Sequence, residues 1–438
     1  MKSLRYNKCN RRVGGLKAVA SSSRERGIAL MVVMGFIVVL VVLAAGFAAN
    51  MKVEGILARK AGAQSEVEWL CRSGVEISKY ILTQQMAVFW DPGQRKYIDP
   101  YDSLNQSWAG GPGSTNGFDS PNQSWAGGPG SINGFNPYSI NLTNSAWGDG
   151  SVLGLLYPDN DPGEGAQCSV EIVDMERKFN INRAAEDAIG RFPLEMTFEM
   201  MGIDVSSIPY LVDAIKDWRD TDDLERVNGV ESDYYEALGY VAKNGPIDDL
   251  KELLLIKDIT PKMFWGNSTN QLAATARVSV VGAEESEEPD YPVGLVDLFT
   301  PISVGYININ TASIEVLQLL PGMDQNRASF IMNMRVGLDG IDGTVDDEPF
   351  TNIEQLRNVP GFQSDAALVN ARRFLSVHSA TFEVTVEAEM RGLRRTLVAV
   401  LRRPTPAEAE ATIDAILKAG KGDDIKPEDI KILYTYWK

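Results

Sequence analysis

Between Ile28 and Ala49 the chain runs for 22 residues without a charge, and this run limits every fold the rest can adopt. As a helix it would span about 33 Å, close to one bilayer core. A secretory h-region is shorter, about 7–15 residues. The stretch AAGFAAN at 44–50 resembles a signal peptidase site, so cleavage there stays open as an alternative. Residues 1–27 hold eight Lys/Arg and one Glu, a charge of +7. Such a leader belongs on the cytoplasmic side, which sends the body outward.

The apolar run does not end in a helix stop. From Met51 to about Met86 there is no proline and no glycine cluster. Apolar positions recur at Val53, Ile56/Leu57, Ala61, Val67, Leu70/Cys71, Val75, Ser78 and Ile81/Leu82, a period near 3.6. The pattern predicts one helix over 28–86, its first half in lipid and its amphipathic second half packed on a domain.

A basic leader ending in Arg26-Gly27, then an apolar helix running into an amphipathic half, resembles a type IV pilin or pseudopilin. The resemblance implies that a prepilin peptidase cuts between Gly27 and Ile28 and methylates the new N-terminus. The family usually has a glutamate at the fifth mature position; here that position is Val32. In family members the carboxylate neutralises the N-terminal ammonium of a neighbouring subunit, and an unpaired charge in lipid is costly. A subunit without it suits the fibre tip. The K-type minor pseudopilin of type II secretion shares this loss. The resemblance therefore implies an inner-membrane, single-pass protein with its C-terminal body in the periplasm. It would assemble into a pseudopilus tip that helps export proteins across the outer membrane. The implied partners are other minor pseudopilins, the major pseudopilin, the prepilin peptidase, the inner-membrane assembly platform and secreted cargo. A minor pilin of a type IV pilus or DNA-uptake system is an alternative reading. A membrane-anchored cation-binding protein outside any fibre is another.

Net charge is -17, and loss of residues 1–27 would leave the body at -24. An acidic body repels phosphate backbones, so no nucleic acid partner is expected. Only one histidine is present, His378, which rules out multi-histidine metal sites. No HExxH, P-loop, GxSxG or CxxC pair occurs, and no enzyme activity is expected. Past the leader two cysteines remain, Cys71 and Cys168. They are read as a bridge in an oxidising compartment or as two buried thiols.

The fold expectation is α+β. A long pilin-type helix (28–86) lies on a small antiparallel sheet built from 168–183 and 376–403. A large all-α insertion at 184–375, with helix-hairpin-helix (SAM-like) units, interrupts that sheet. Residues 87–167 are rich in Gly, Pro, Asn and Ser. They carry a tandem repeat, NQSWAGGPGSTNGFDSP at 105–121 and NQSWAGGPGSINGFNP at 122–137, read as a loop insertion. Its Trp108 and Trp125 are read as loop-tip residues with local packing, with a contact surface as the alternative. Residues 404–438 are read as a charged helical tail.

The densest charge lies at DWRDTDDLERVNGVESDYY, 217–235, with Asp217, Asp220, Asp222, Asp223, Glu225, Glu231 and Asp233. Carboxylates this close repel unless solvated or bridged by a hard cation. By residues alone a solvated acidic loop is the simpler reading. K-type pseudopilins carry a similar Asp-Trp-x-Asp-x-Asp stretch followed by Gly-x-Glu-x-x-Tyr-Tyr, which here is Asp217 to Asp222 and Gly229 to Tyr235. That resemblance implies a structural calcium site among Asp217, Asp220, Asp222, Asp223, Glu231 and Asp233. A second acidic loop, GLDGIDGTVDDEPF at 337–350, is open to the same two readings.

GYININTASIEVLQLLPGMDQNRASFIMNMR (305–335) and FTNIEQLRNVPGFQSDAALVNAR (350–372) look like helix-hairpin-helix units turning at Pro321-Gly322 and Pro360-Gly361. Thr311 is the expected N-cap of the first helix. Residues 305–375 carry five Lys/Arg against nine Asp/Glu, so no basic stripe lines the hairpins. K-type pseudopilins use the same Asn-x-Asn-Thr-Ala-Ser stretch as protein scaffold, and scaffold is the expectation here.

Overall fold

The computed structural model describes residues 23–88, 90–91, 96–97, 101–109, 139–140, 167–266, 291–344, 346–390, 392–405, 408 and 430–438. The second repeat, Trp125 and residues 409–429 lie outside them. Contacts divide the chain into two units, up to Gln64 and from Ser65 to Lys438.

Helix α1 runs unbroken over Ser23–Val88, a few residues longer at each end than the periodicity predicted. Gly27 and Ile28 lie within it. In the first unit the apolar side chains from Leu30 to Leu43 are exposed, and Val32 is 52% exposed. No core covers them, as expected for a segment that uses lipid as its solvent.

The second unit opens with the end of α1 and continues through short strands β1 (Trp90–Asp91) and β2 (Lys96–Tyr97), which pair antiparallel. A five-stranded sheet follows, in the order β11-β10-β9-β4-β3. Its members are β3 (Ser139–Ile140), β4 (Gln167–Asp174), β9 (Thr381–Met390), β10 (Leu393–Arg402) and β11 (Lys431–Trp437), each antiparallel to its neighbours. Alternation along the strands sends Val170, Ile172, Phe382, Val384, Val386, Leu397 and Ala399 to one face. There they pack with Val67, Leu70, Cys71, Val75 and Leu82 of α1. Gly74 lets the helix approach: a Cβ there would lie 2.6 Å from Val386 Cγ1.

Two expectations need correction, and one open alternative closes. Residues 431–437 are a strand, not a helical tail. ILYTYW is aromatic and β-branched, so β-propensity overrides the charged character of the tail around it. Trp108 is no loop tip. It is buried against Phe382, edge to face at 5.2 Å, and its Nε1 donates to Gln106 Oε1 at 2.9 Å. Of the two cysteine readings, buried thiols describe the structure, because Cys71 and Cys168 are free.

The insertion has its own core, from Phe179 to Val377. It is not purely helical. Strands β5 (Phe179–Asn180) and β6 (Phe299–Thr300) pair in parallel, as do β7 (Ile307–Asn308) and β8 (Leu375–Ser376). Each pairing joins a strand at one end of the insertion, β5 or β8, to an internal strand, β6 or β7. Its helices are α2 (Ile181–Ala184), α3 (Phe192–Met200), α4 (Ile208–Arg219), α5 (Ser232–Glu236), α6 (Pro261–Trp265), α7 (Leu295–Leu298), α8 (Ile314–Gln318), α9 (Gln325–Arg335) and α10 (Asp365–Phe374). Residues Ile353–Asn358 form a 3-10 turn before α10. Ser313, not Thr311, caps α8 by accepting from the Val316 N–H at 3.3 Å.

Thr311 has another task. Its hydroxyl donates to buried Asp174 Oδ2 at 2.5 Å, as does Ser379 Oγ at 2.6 Å. Beside them Glu176 accepts from the N–H groups of Val304, Ala380 and Thr381. Burial and the neighbouring Asp174 push Glu176 up to about 8. Arg403 pairs with Asp102, and Asn308 bonds Asp102 and Ser379. Such buried polar networks specify one arrangement of the parts they join, although Asp102 Oδ1 is left without a partner. This one ties the insertion to the ends of β4, β9 and β10.

Candidate metal centre

Helix α4 carries the apolar stripe Ile208, Leu211, Val212, Ala214, Ile215 and Trp218 into the insertion core. Its last turn therefore buries Asp217 next to Trp218. Trp218 packs edge to face on Tyr235 at 5.1 Å and lies 6.3 Å from Tyr240. This aromatic wall holds one side of the loop. The chain leaves the helix at Asp220, turns at Arg226 to Gly229 and returns as Glu231, the N-cap position of α5. Gly229 is forced by contact: a Cβ there would lie 1.7 Å from Asp217 Oδ2.

The return brings Asp217, Asp220 and Glu231 together, each offering an oxygen within 4.8 Å of the others. Twice a usual calcium–oxygen distance is about 4.8 Å, so one ion could touch all three. Asp217 is fully buried and Glu231 is 6% exposed. Both Glu231 oxygens and Asp220 Oδ1 have no hydrogen-bond partner. Burial, then the charges of Asp217, Asp220, Asp223 and Asp222, push Glu231 up to about 7. Asp217 is also raised, because burial outweighs its bonds to Arg226. A buried acid with two unpartnered oxygens among other acids is costly without a cation. The donor set is all oxygen and fits a hard divalent ion.

The other expected ligands stand apart. Asp222 Oδ1 accepts from the Leu224 N–H at 3.0 Å. Asp223 Oδ1 accepts from Ser232 Oγ at 3.0 Å and Asn244 Nδ2 at 2.8 Å. Asp233 sits in the first turn of α5, exposed. Arg226 is the member that sequence reading missed. Its Nη1 donates to Asp217 Oδ1 at 2.7 Å and to Asp220 Oδ2, and its Nη2 reaches Asp187 Oδ2 at 3.0 Å. The signal was Arg226, one of two arginines amid seven acids.

The family described as Type II secretion system (T2SS), protein K matches residues 177–265, a span that contains this whole cluster. No curated protein matches the chain in sequence. The solved structures similar to this chain include the crystal structure of the GspK-GspI-GspJ complex from the type 2 secretion system of enterotoxigenic Escherichia coli. One chain of it is 13% identical, covering 87% of this chain and 99% of its own length with a TM-score of 0.50. That likeness is one of fold.

Proposed function

We propose that this chain, a minor pseudopilin of the type II secretion system protein K family, caps the tip of a periplasmic pseudopilus. The supporting observation is α1. Its apolar first half is exposed, while its second half is built into the core of a sheet that carries a large inserted domain. Drawn from the membrane into a fibre, that helix becomes the spine. In this reading the bulk of the body leaves no room for a following subunit. The absence of a glutamate at Val32 fits a subunit with no neighbour above to neutralise. Prepilin peptidase cleavage after Gly27, smaller minor pseudopilins beside the spine, the major pseudopilin below and the assembly platform complete the reading. Secreted cargo would meet the exposed body.

The segments around Pro321-Gly322 and Pro360-Gly361 act as helix-hairpin-helix scaffold in this reading. Two of their arginines are engaged within the fold, while Arg357, Arg372 and Arg373 are exposed. Arg335 is buried and donates to the carbonyls of Ile309 and Ala312 at 2.7 and 2.8 Å. Arg327 bonds the Gly322 carbonyl and lies over the Phe362 ring at 5.9 Å.

Calcium is the proposed structural ion of the 217–231 loop, with Asp217, Asp220 and Glu231 as its side-chain ligands. Bound there, it would neutralise the buried acids and hold the two limbs of the loop together.

The test of the spine reading is the intact mass and N-terminal peptide of protein purified from membranes. A chain starting at methylated Ile28 is expected, and Gly27→Leu should block both processing and assembly. A chain starting at Met1, or cut near Ala48, would overturn the reading.

A further inference from the structure

We propose that Arg226 is a resident counter-cation, which calcium must displace from Asp217 and Asp220, and that this exchange sets the affinity of the site. The proposal rests on the calcium reading above.

One guanidinium bridges three carboxylates on two segments. Arg226 Nη1 donates to Asp217 Oδ1 at 2.7 Å and to Asp220 Oδ2, and Nη2 donates to Asp187 Oδ1 and Oδ2 at 3.2 and 3.0 Å. It does not reach Glu231, whose two buried oxygens have no partner. Asp217 and Asp220 are thus paired with a cation and Glu231 is not. A divalent ion that serves Asp217, Asp220 and Glu231 together competes for oxygens that Nη1 holds. A guanidinium and a calcium ion cannot share that space without like-charge repulsion.

The side chain has a place to go. Asp187 is on the surface, its side chain 73% exposed, and it already takes Nη2. The swing leaves the loop intact, because the Arg226 backbone N–H holds Asp217 Oδ2 at 3.2 Å independently of the side chain. The Gly229 N–H to Arg226 carbonyl bond, at 3.0 Å, also stays. The loop can therefore be formed before metal arrives. The cost is affinity, since each ion must first break charge-assisted bonds. That places the site toward the weak range of extracellular calcium modules, on the order of 10⁻⁴–10⁻³ M.

The experiment is calorimetric titration of calcium chloride into the full chain in detergent, freed of metal by chelator. Wild type, Arg226→Gln, Arg226→Lys and Asp187→Asn are compared, with circular dichroism to check folding. Arg226→Gln should bind about tenfold tighter, a change of roughly 1.4 kcal/mol. Its melting temperature without metal should fall below wild type, and calcium should close that gap. Asp187→Asn, which removes the landing place, should bind more weakly. It reads the same exchange if Arg226→Gln does not fold without metal. Unchanged or weaker binding by folded Arg226→Gln, or unchanged binding by Asp187→Asn, overturns the exchange and leaves the calcium site standing. No binding by wild type and all variants removes the calcium reading and the exchange with it.

Discussion

Two loops of this chain concentrate carboxylates: 217–233 with seven Asp/Glu and 337–350 with five. In the second, the acids already have donors. Asp346 accepts from the N–H groups of Leu338 and Asp339 at 2.8 and 3.1 Å and from Thr344 Oγ1 at 2.7 Å. Asp347 accepts from the Gly343 N–H at 2.7 Å, and Asp342 takes Arg335 Nη2 at 2.5 Å. Among its described residues no buried carboxylate oxygen lacks a partner. In the first loop Glu231, nearly as deep as the fully buried Asp217, has none. Counting charges does not separate the two; counting unclaimed oxygens does. Glycine-spaced aspartates bond their own turn, as Asx chemistry favours. An acid carried inward by the return from a buried helix has no turn N–H to meet.

The largest test of this contrast is the counter-ion of the second loop. Arg335 is buried and bonds Asp342 and two carbonyls. Removing one partner of a buried pair costs about 3–5 kcal/mol. Arg335→Ala should lower stability by that order in urea unfolding, and calcium should not restore it. Rescue by calcium would mean that the second loop also holds metal.

Next in size is the response to calcium itself. At free calcium about a hundred times the dissociation constant, wild type should gain about 2.7 kcal/mol. Glu231→Gln should remove most of that gain, and Asp346→Asn should leave it whole. Melting curves with chelator and with calcium chloride would measure both. The reverse pattern would exchange the roles of the loops.

How much of this was readable in advance follows from how local each signal is. The spine was legible, because 66 residues without proline form one helix. So were β4 and β9, which largely alternate, and β10, whose run Leu397 to Leu401 is apolar throughout and β-branched in part. Strand β11 was hidden by its charged surroundings, although ILYTYW carries a β signal. Of six expected ligands the structure gathers three, Asp217, Asp220 and Glu231. Nothing in the sequence separates Asp222, Asp223 and Asp233 from them, since direction of a side chain within a loop is a tertiary property. Trp108, Thr311 and Arg226 were misplaced or missed for the same reason. Each is fixed by a partner distant in sequence or by which way a turn faces.

Proton titration should split the loops by sign, with smaller effects. Glu231, raised to about 7, favours its neutral form in the folded, metal-free protein. Its contribution is complete below its ordinary value near 4.5 and is lost as pH rises through about 7. Asp346, lowered to about 2 by the Thr344 hydroxyl and backbone N–H groups, behaves oppositely. Its contribution is present above about 3.8 and is lost as pH falls toward about 2. Melting temperatures in chelator across pH 2–8 should therefore lose the neutral-side slope in Glu231→Gln and the acid-side slope in Asp346→Asn. A single variant that removed both slopes would show that the loops titrate as one system.

The smallest effect is the sharpest on ligand choice. Asp233 lies in the first turn of α5, exposed, two residues past Glu231 and outside the gathered oxygens. Its charge favours the helix N-terminus only weakly. Asp233→Asn should change stability by no more than about 0.5 kcal/mol and leave the calcium titration curve where it was. If that curve moved by tenfold, Asp233 would be reaching the ion from outside the cluster. The rule of unclaimed, buried oxygens would then be too narrow, because an exposed acid on the rim would be ligating as well.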